Sequence, residues 1–328
     1  MQKFFIPMLL CISFMTIVAC ATPQVKLFSD ATDPLQEFTI QGTEKGKILV
    51  ISIHGIISTS PDEKFLRSMP SMVQEVVAQL RMAEKDDEIQ CLLIKVDSPG
   101  GTTTASDMLY NEILKFKQKT GKKIVVVMMD IAASGGYYIS LPADLIVAHP
   151  TTVTGSIGVI FMRPKVTGLM DKIGVEMAVN KFGENKDMGS PFRQPNEKEQ
   201  AIFQSVTDGL GKRFLSLVAK HRELSDHNLS DVSTARIYLA DEALSLGLVD
   251  KIGYLDDALQ EARNLSGLSE KSKVIAYRRS AFPNDNLYNP STAQASETTR
   301  PLLDLGISNA VNHLKPGFYY IWSPVLGM

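Results

Sequence analysis

Four short apolar runs decide what this chain can fold into: KILVISI (47–53), CLLIKV (91–96), KIVVVMM (123–129) and DLIVAH (144–149). Each is rich in β-branched residues and apolar at consecutive positions, the pattern of a strand covered on both faces. Between them, residues 71–83 and 105–117 place apolar side chains three and four apart, which predicts amphipathic helices. Strands alternating with such helices predict an α/β fold with a mostly parallel sheet. A longer charged helix is expected over 196–222, two short helical patterns around Gly247 and Gly253, and a last strand over 273–278. No internal repeat is visible.

The two ends differ from this body. Residues 1–24, MQKFFIPMLLCISFMTIVACATPQ, set Lys3 before an apolar stretch over 4–19, the layout of a secretory leader. That stretch ends in Ile17-Val18-Ala19-Cys20, which resembles the bacterial lipobox, so Cys20 is the expected lipid anchor. An uncleaved membrane helix is the competing expectation, since a span needs roughly 18 to 20 apolar residues. Either way the body is expected outside the cytoplasm, tethered at its N-terminus. The expected division is a signal peptide with lipobox over 1–20, a linker over 21–46, one catalytic domain over 47–278 and a loosely structured tail over 279–328. The tail combines a Pro-, Asn-, Ser- and Thr-rich stretch with the aromatic end PGFYYIWSPVLGM.

Of three cysteines, Cys11 lies in the leader and Cys20 is the lipid candidate, leaving Cys91 without a disulfide partner. The fold must therefore rest on its core, and 44% hydrophobic residues are enough to build one. A formal net charge of -2 offers no basic footprint, so nucleic acid is not an expected partner.

Two glycine-flanked turns carry the candidate chemistry. In KVDSPGGTTTASD a strand ends at Val96 and a helix follows Gly100-Gly101. Pro99 fixes the turn, while the glycines let the backbone approach a ligand closely. The turn is either a tight strand-to-helix connection or a source of oxyanion N–H donors, each typically worth about 2.7 to 4 kcal/mol in a transition state. In DIAASGGYYISLPAD a serine, Ser134, again follows a strand. It is either a helix N-cap or an accessible nucleophile, and the glycines at 135 and 136 weaken the helix start that a cap would serve.

A serine nucleophile needs a base. His54 and His149 both end predicted strands, and spacing alone leaves a Ser/His/Asp triad open. TGSIG is not a nucleophile elbow, because Thr154 stands where the first glycine belongs. No HExxH, Cys pair or His/Asp cluster suggests a metal, and GLGKR lacks the upstream glycine and the Ser/Thr of a P-loop. No cofactor is expected. Lysine is left as a base.

The motifs DSPGG, AASGGYYIS, TGSIGV and KFGENKDMGSP, in this order, resemble the signal peptide peptidase A (protease IV) family of Ser-Lys serine peptidases. The likeness runs from about Lys47 to Tyr277 and includes LADEALSLGLVDKIG. It implies a single peptidase domain with the ClpP/crotonase-like spiral of β-β-α units. It also implies Ser134 as nucleophile, Lys186 as general base, Ser156 as the residue positioning that lysine, and backbone donors at Gly101 and Gly135. Homo-oligomeric rings belong to the same expectation, an octamer among them, with Ser and Lys of one site drawn from neighbouring protomers.

A free lysine, with pKa about 10.4, is neutral in about one molecule in 2,500 at pH 7, so a lysine base must be drawn out of water. Asp187 would oppose that if it faced the ammonium, so it is expected to point away from Lys186. The expected activity is hydrolysis of cleaved signal peptides and other extended apolar peptides by a membrane-tethered serine endopeptidase. The alternative is a noncatalytic oligomeric scaffold of the same fold that binds exported peptides or membrane proteins. A crotonase-like acyl-CoA enzyme fits poorly with an export signal.

Overall fold

The computed structural model describes residues 33–64, 67–289, 316–322 and 324. The proposed leader and Cys20 lie outside the described residues. Among those described, no helix is long and apolar enough to cross a membrane.

The chain opens with β1 (Gln36–Gln41), β2 (Glu44–His54) and an antiparallel pair, β3 (Asp62–Lys64) and β4 (Arg67–Met69). Helix α1 (Met72–Ala83) leads to β5 (Ile89–Ser98), the short β6 (Gly100–Thr102) and α2 (Thr103–Thr120). Then come β7 (Lys123–Ala133), α3 (Gly135–Ser140), β8 (Leu145–Ala148), β9 (Val153–Gly155), β10 (Ile160–Met162) and α4 (Thr167–Ile173). The long α5 (Glu197–Arg222) precedes α6 (Asp226–Val232), β11 (Ile237–Leu239), α7 (Ala240–Ser245), β12 (Lys251–Ile252), α8 (Leu255–Ser266) and β13 (Ser272–Arg278). The last strand, β14, spans Gly317–Ile321.

The main sheet runs β1-β13-β2-β5-β7-β8-β12, and every pairing from β13 to β12 is parallel. Period-2 alternation sends successive residues of its central strands into two cores, so these strands are apolar at most positions. Leu49, Ile51, Ile53, Leu92, Ile94 and Val126 face the larger core beneath α1 and α2. Ile48, Val50, Cys91, Leu93, Val125 and Val127 face the smaller core beneath α8. Complete burial of such a side chain contributes about 1.5–3 kcal/mol, so a polar residue on either face would be costly. Cys91 is one of these packing residues, and burial pushes its thiol up to about 12, which leaves it unreactive.

Local chemistry sets the helix ends. Ser71 and Gln74 form a capping box at α1, and Asn196 and Glu199 form one at α5. Helix α2 starts on the Thr102 hydroxyl and stops at Gly121, whose left-handed φ of 67° suits glycine.

Two boundaries differ from the sequence reading. The stretch read as a linker includes β1, which pairs antiparallel with β13 from Gln36 to Gln41, so the folded body begins before Lys47. Its polar outer face hid a strand that is half-covered at the sheet edge. The C-terminal tail is not wholly loose either. Strand β14 pairs with β10 on one side and β6 on the other, forming a second, three-stranded sheet.

Candidate active site

The parallel strands β7 and β9 pair Ala132 with Thr154 and Ala133 with Gly155. The two residues that leave this pair are Ser134 and Ser156, so the sheet register brings together serines far apart in sequence. The Ser134 N–H donates to the Gly155 carbonyl at 2.7 Å, and the Ser156 N–H donates to the Arg236 carbonyl at 2.8 Å. Both serines have φ of 51°, a conformation that costs a non-glycine residue of order 1–3 kcal/mol.

Ser134 heads α3, yet its side chain makes no capping hydrogen bond. Its Oγ is buried with no hydrogen-bond partner among the described residues, an arrangement that costs free energy unless something else uses the hydroxyl. The capping reading therefore fails for this serine. The strained backbone and the orphaned hydroxyl mark Ser134 as the candidate nucleophile.

The DSPGG turn closes over the same point. Ser98 Oγ donates to the Gly55 carbonyl at 2.7 Å and accepts from the Gly100 N–H at 3.1 Å, which pins the turn. Gly100 has φ of 106°, and a Cβ there would lie 2.7 Å from the Gly135 nitrogen. A Cβ on Gly101 would lie 1.9 Å from the Ile57 carbonyl oxygen. Neighbouring backbone groups of β6 are bound to Ile57: its N–H donates to Gly100 O, and its carbonyl accepts from Thr102 N–H. Alternation along a strand then turns the N–H of Gly101 to the opposite edge, towards β14. Gly101, Gly135, Ser134 and Ser156 thus share one small region, reached from three separate stretches of sequence.

Lys186 is not among them. It lies in an exposed turn between α4 and α5, and among the described residues its ammonium makes no hydrogen bond or ion pair. Asp187 does turn away from it. Its carboxylate accepts from Lys181 Nζ at 2.6 Å and from Arg193 Nε at 2.7 Å, and these cations hold its pKa well below the usual carboxylate range. Arg193 also reaches Glu199 at the start of α5.

Neither histidine reaches the serine. His54 Nδ1 is 3.0 Å from Asp97 Oδ2, and that hydrogen bond raises its pKa. His149 Nδ1 is 2.9 Å from the Thr151 hydroxyl. Among the described residues, no histidine makes a hydrogen bond to the Ser134 hydroxyl.

The sequence reading missed the tail. The carbonyl oxygen of Tyr320, in β14, lies 2.0 Å from where a Cβ on Gly100 would stand and 3.0 Å from one on Gly135. The aromatic run FYYI was the available signal, but nothing local says where it docks.

Comparison with known proteins gives the family. The model for "Peptidase family S49" matches residues 116–269, and that for "Clp protease" matches 67–149. A protein of Enterococcus faecium described as a signal peptide peptidase, SppA, is 34% identical over 253 residues, covering 77% of this chain and 73% of that one. Protease 4 of Haemophilus influenzae is also 34% identical, over 74% of this chain but 38% of its own length. The chain thus spans well under half of that longer relative. Among solved structures, a ClpP1 mutant from Listeria monocytogenes aligns at 19% identity and TM-score 0.42, covering 64% of this chain and 94% of that one. The sheet and helices form a ClpP-like α/β fold. With these motifs, this site and the Enterococcus relative, the chain belongs to peptidase family S49, the serine peptidases that include signal peptide peptidase A and protease 4.

Proposed function

We propose that this serine peptidase is a membrane-tethered endopeptidase outside the cytoplasm, using Ser134 as nucleophile and Lys186 as general base on cleaved signal peptides and other extended apolar peptides. The observation that carries the reading is the Ser134 hydroxyl, buried, unpartnered and held on a strained backbone beside the glycines of two turns. Ser134 Oγ adds to the peptide carbonyl carbon, its proton passes to the base, and the leaving amine takes that proton as the C–N bond breaks. Water then hydrolyses the acyl-enzyme. Gly101 and Gly135 N–H groups stabilise the oxyanion, and Ser156 helps to orient the lysine.

Within one protomer Lys186 is exposed, so this reading places it in the active site of a neighbouring protomer in a homo-oligomeric ring. The surface around it supports that assembly. Leu169, Ile173, Val175, Met177, Val179 and Phe182 are exposed along the same segment, and Phe182 is 100% exposed. Covering such side chains is favourable, and the same contact would strip water from the lysine as a base requires. Tethering through Cys20, or through an uncleaved helix, completes the proposal.

The test uses the full chain in detergent with a synthetic signal peptide. Wild type should cut it, and Ser134→Ala and Lys186→Ala should each fall to background. Mixing the two inactive variants should restore cleavage. Full activity of Lys186→Ala would overturn the lysine assignment, and no recovery after demonstrated subunit exchange would overturn sharing between protomers.

A further inference from the structure

Strand β11 pairs antiparallel with β9, matching Ile237 to Gly155, Tyr238 to Thr154 and Leu239 to Val153. Arg236 is the residue just before β11, opposite the point where β9 gives way to Ser156. Its carbonyl accepts the Ser156 N–H at 2.8 Å, and Ser156 carries the strained φ of 51°. Ser134 is held separately, its N–H donating to the Gly155 carbonyl, so a displaced Arg236 carbonyl disturbs Ser156 first.

The two segments meet with little room for adjustment. A Cβ on Gly155 would lie 2.9 Å from the Arg236 carbonyl oxygen and 2.4 Å from the Tyr238 ring. One on Gly158 would lie 2.6 Å from the Ala235 Cβ. Ala235 itself has φ of 59°, a strained conformation for a residue with a Cβ. The TGSIG turn and residues 235–238 thus fix each other's backbone.

The Arg236 side chain clamps that segment from outside. Its Nη2 donates to Asp231 Oδ2 of α6 at 2.9 Å and to Glu242 Oε1 in the first turn of α7 at 2.6 Å. Its guanidinium carbon lies 4.3 Å from the centroid of the buried Tyr238 ring. One planar cation therefore ties two helices to the strand between them. All three charged side chains are partly open to water, and ion pairs so exposed add little to stability. What the clamp does fix is where the Arg236 backbone stands.

We propose that Arg236 is a positioning residue for the peptidase reaction: its clamp on Asp231 and Glu242 sets the carbonyl that orients Ser156, and through Ser156 the lysine base. The proposal rests on the roles given above to Ser156 and Lys186. Arg236 acts through Ser156 rather than on the peptide, so its effect falls on the chemical step and not on substrate binding.

Steady-state kinetics of the full chain in detergent, with a synthetic signal peptide, are the test. Arg236→Ala should lower kcat about tenfold or more with KM unchanged, while its unfolding midpoint stays close to wild type. Arg236→Lys should recover only part of the rate, since a single ammonium lacks the planar fork. Glu242→Gln loosens one end of the clamp and should give a smaller loss. Ser156→Ala should lower kcat at least as far as Arg236→Ala, and combining the two should add nothing, because both remove one function.

Wild-type kcat in Arg236→Ala, or a combined loss equal to the product of the two single losses, overturns the proposal and leaves the peptidase reading standing. So does an Arg236→Ala defect that only tracks lost folded protein while Glu242→Gln keeps the wild-type rate. Wild-type kcat in Ser156→Ala counts against the role given to Ser156, and the inference falls with it. A wild type that cuts no peptide counts against the peptidase reading and everything built on it.

Discussion

Ser134 and Ser156 stand side by side at the ends of the parallel strands β7 and β9, each with φ of 51°. Glycine adopts such a φ without a steric penalty and alanine does not. Ser134→Gly should therefore be more stable than Ser134→Ala, by about 1 kcal/mol, while both are inactive. Chemical denaturation of the two variants decides the matter. Equal stabilities would mean that the backbone at Ser134 is not strained.

Close approach, rather than conformation alone, governs the glycines of the DSPGG turn. A Cβ at Gly101 would collide with Ile57 backbone, whereas one at Gly121, φ 67°, meets nothing within 4 Å. Gly101→Ala should abolish peptide cleavage and lower stability well beyond the roughly 1 kcal/mol expected for Gly121→Ala, which should retain activity. Activity and unfolding midpoints of both variants provide the check. Wild-type turnover by Gly101→Ala would show that the turn accommodates a Cβ without displacing the site.

Some of this structure was legible in the sequence and some was not, for physical reasons. The runs that became β2, β5, β7 and β8 are buried on both faces, so hydrophobicity alone marks them. Strands β1, β6, β9 and β10 are half-exposed, very short or glycine-rich, and their pairing is decided by tertiary partners. The motif residues Ser134 and Gly101 could be named from sequence, but the convergence of Ser134 with Ser156 depends on the β7–β9 register. Lys186 carried no sequence signal apart from its motif, and its exposed turn shows why: among the described residues its ammonium has no partner, although Arg193 and Lys181 hold the neighbouring Asp187.

Arg193 ties the Lys186 turn to the rest of the domain. It donates to Asp187, the next residue after Lys186, and to Glu199 in the first turn of α5. If Lys186 is the base proposed above, Arg193 is a positioning residue, acting through the backbone that carries the lysine. Arg193→Ala should lower kcat about tenfold or more with little change in KM, because misplacing a catalytic group affects the chemical step. Arg193→Lys should recover only part of it, having no planar fork to span both carboxylates. Unchanged kcat in Arg193→Ala would show that the turn is held by other contacts.

Lys95 gives the fold a pH dependence with a definite sign. Burial lowers its pKa to about 8, although its ammonium donates to the carbonyls of Leu287 at 2.8 Å and Asn289 at 3.2 Å. The unfolded chain keeps this proton to about pH 10.5, its ordinary value, while the folded chain releases it near 8. Between those limits the unfolded state binds more protons, so stability rises with pH. Below about pH 8 both states are protonated and the burial penalty is constant. Relative to Lys95→Met, the wild type should gain about 3 kcal/mol of unfolding free energy between pH 7.5 and 10.5, at 1.36 kcal/mol per unit. Urea denaturation of both proteins across that range measures the difference. A difference that stays flat with pH would mean that the two carbonyls compensate the buried ammonium fully, and that Lys95 stays charged throughout.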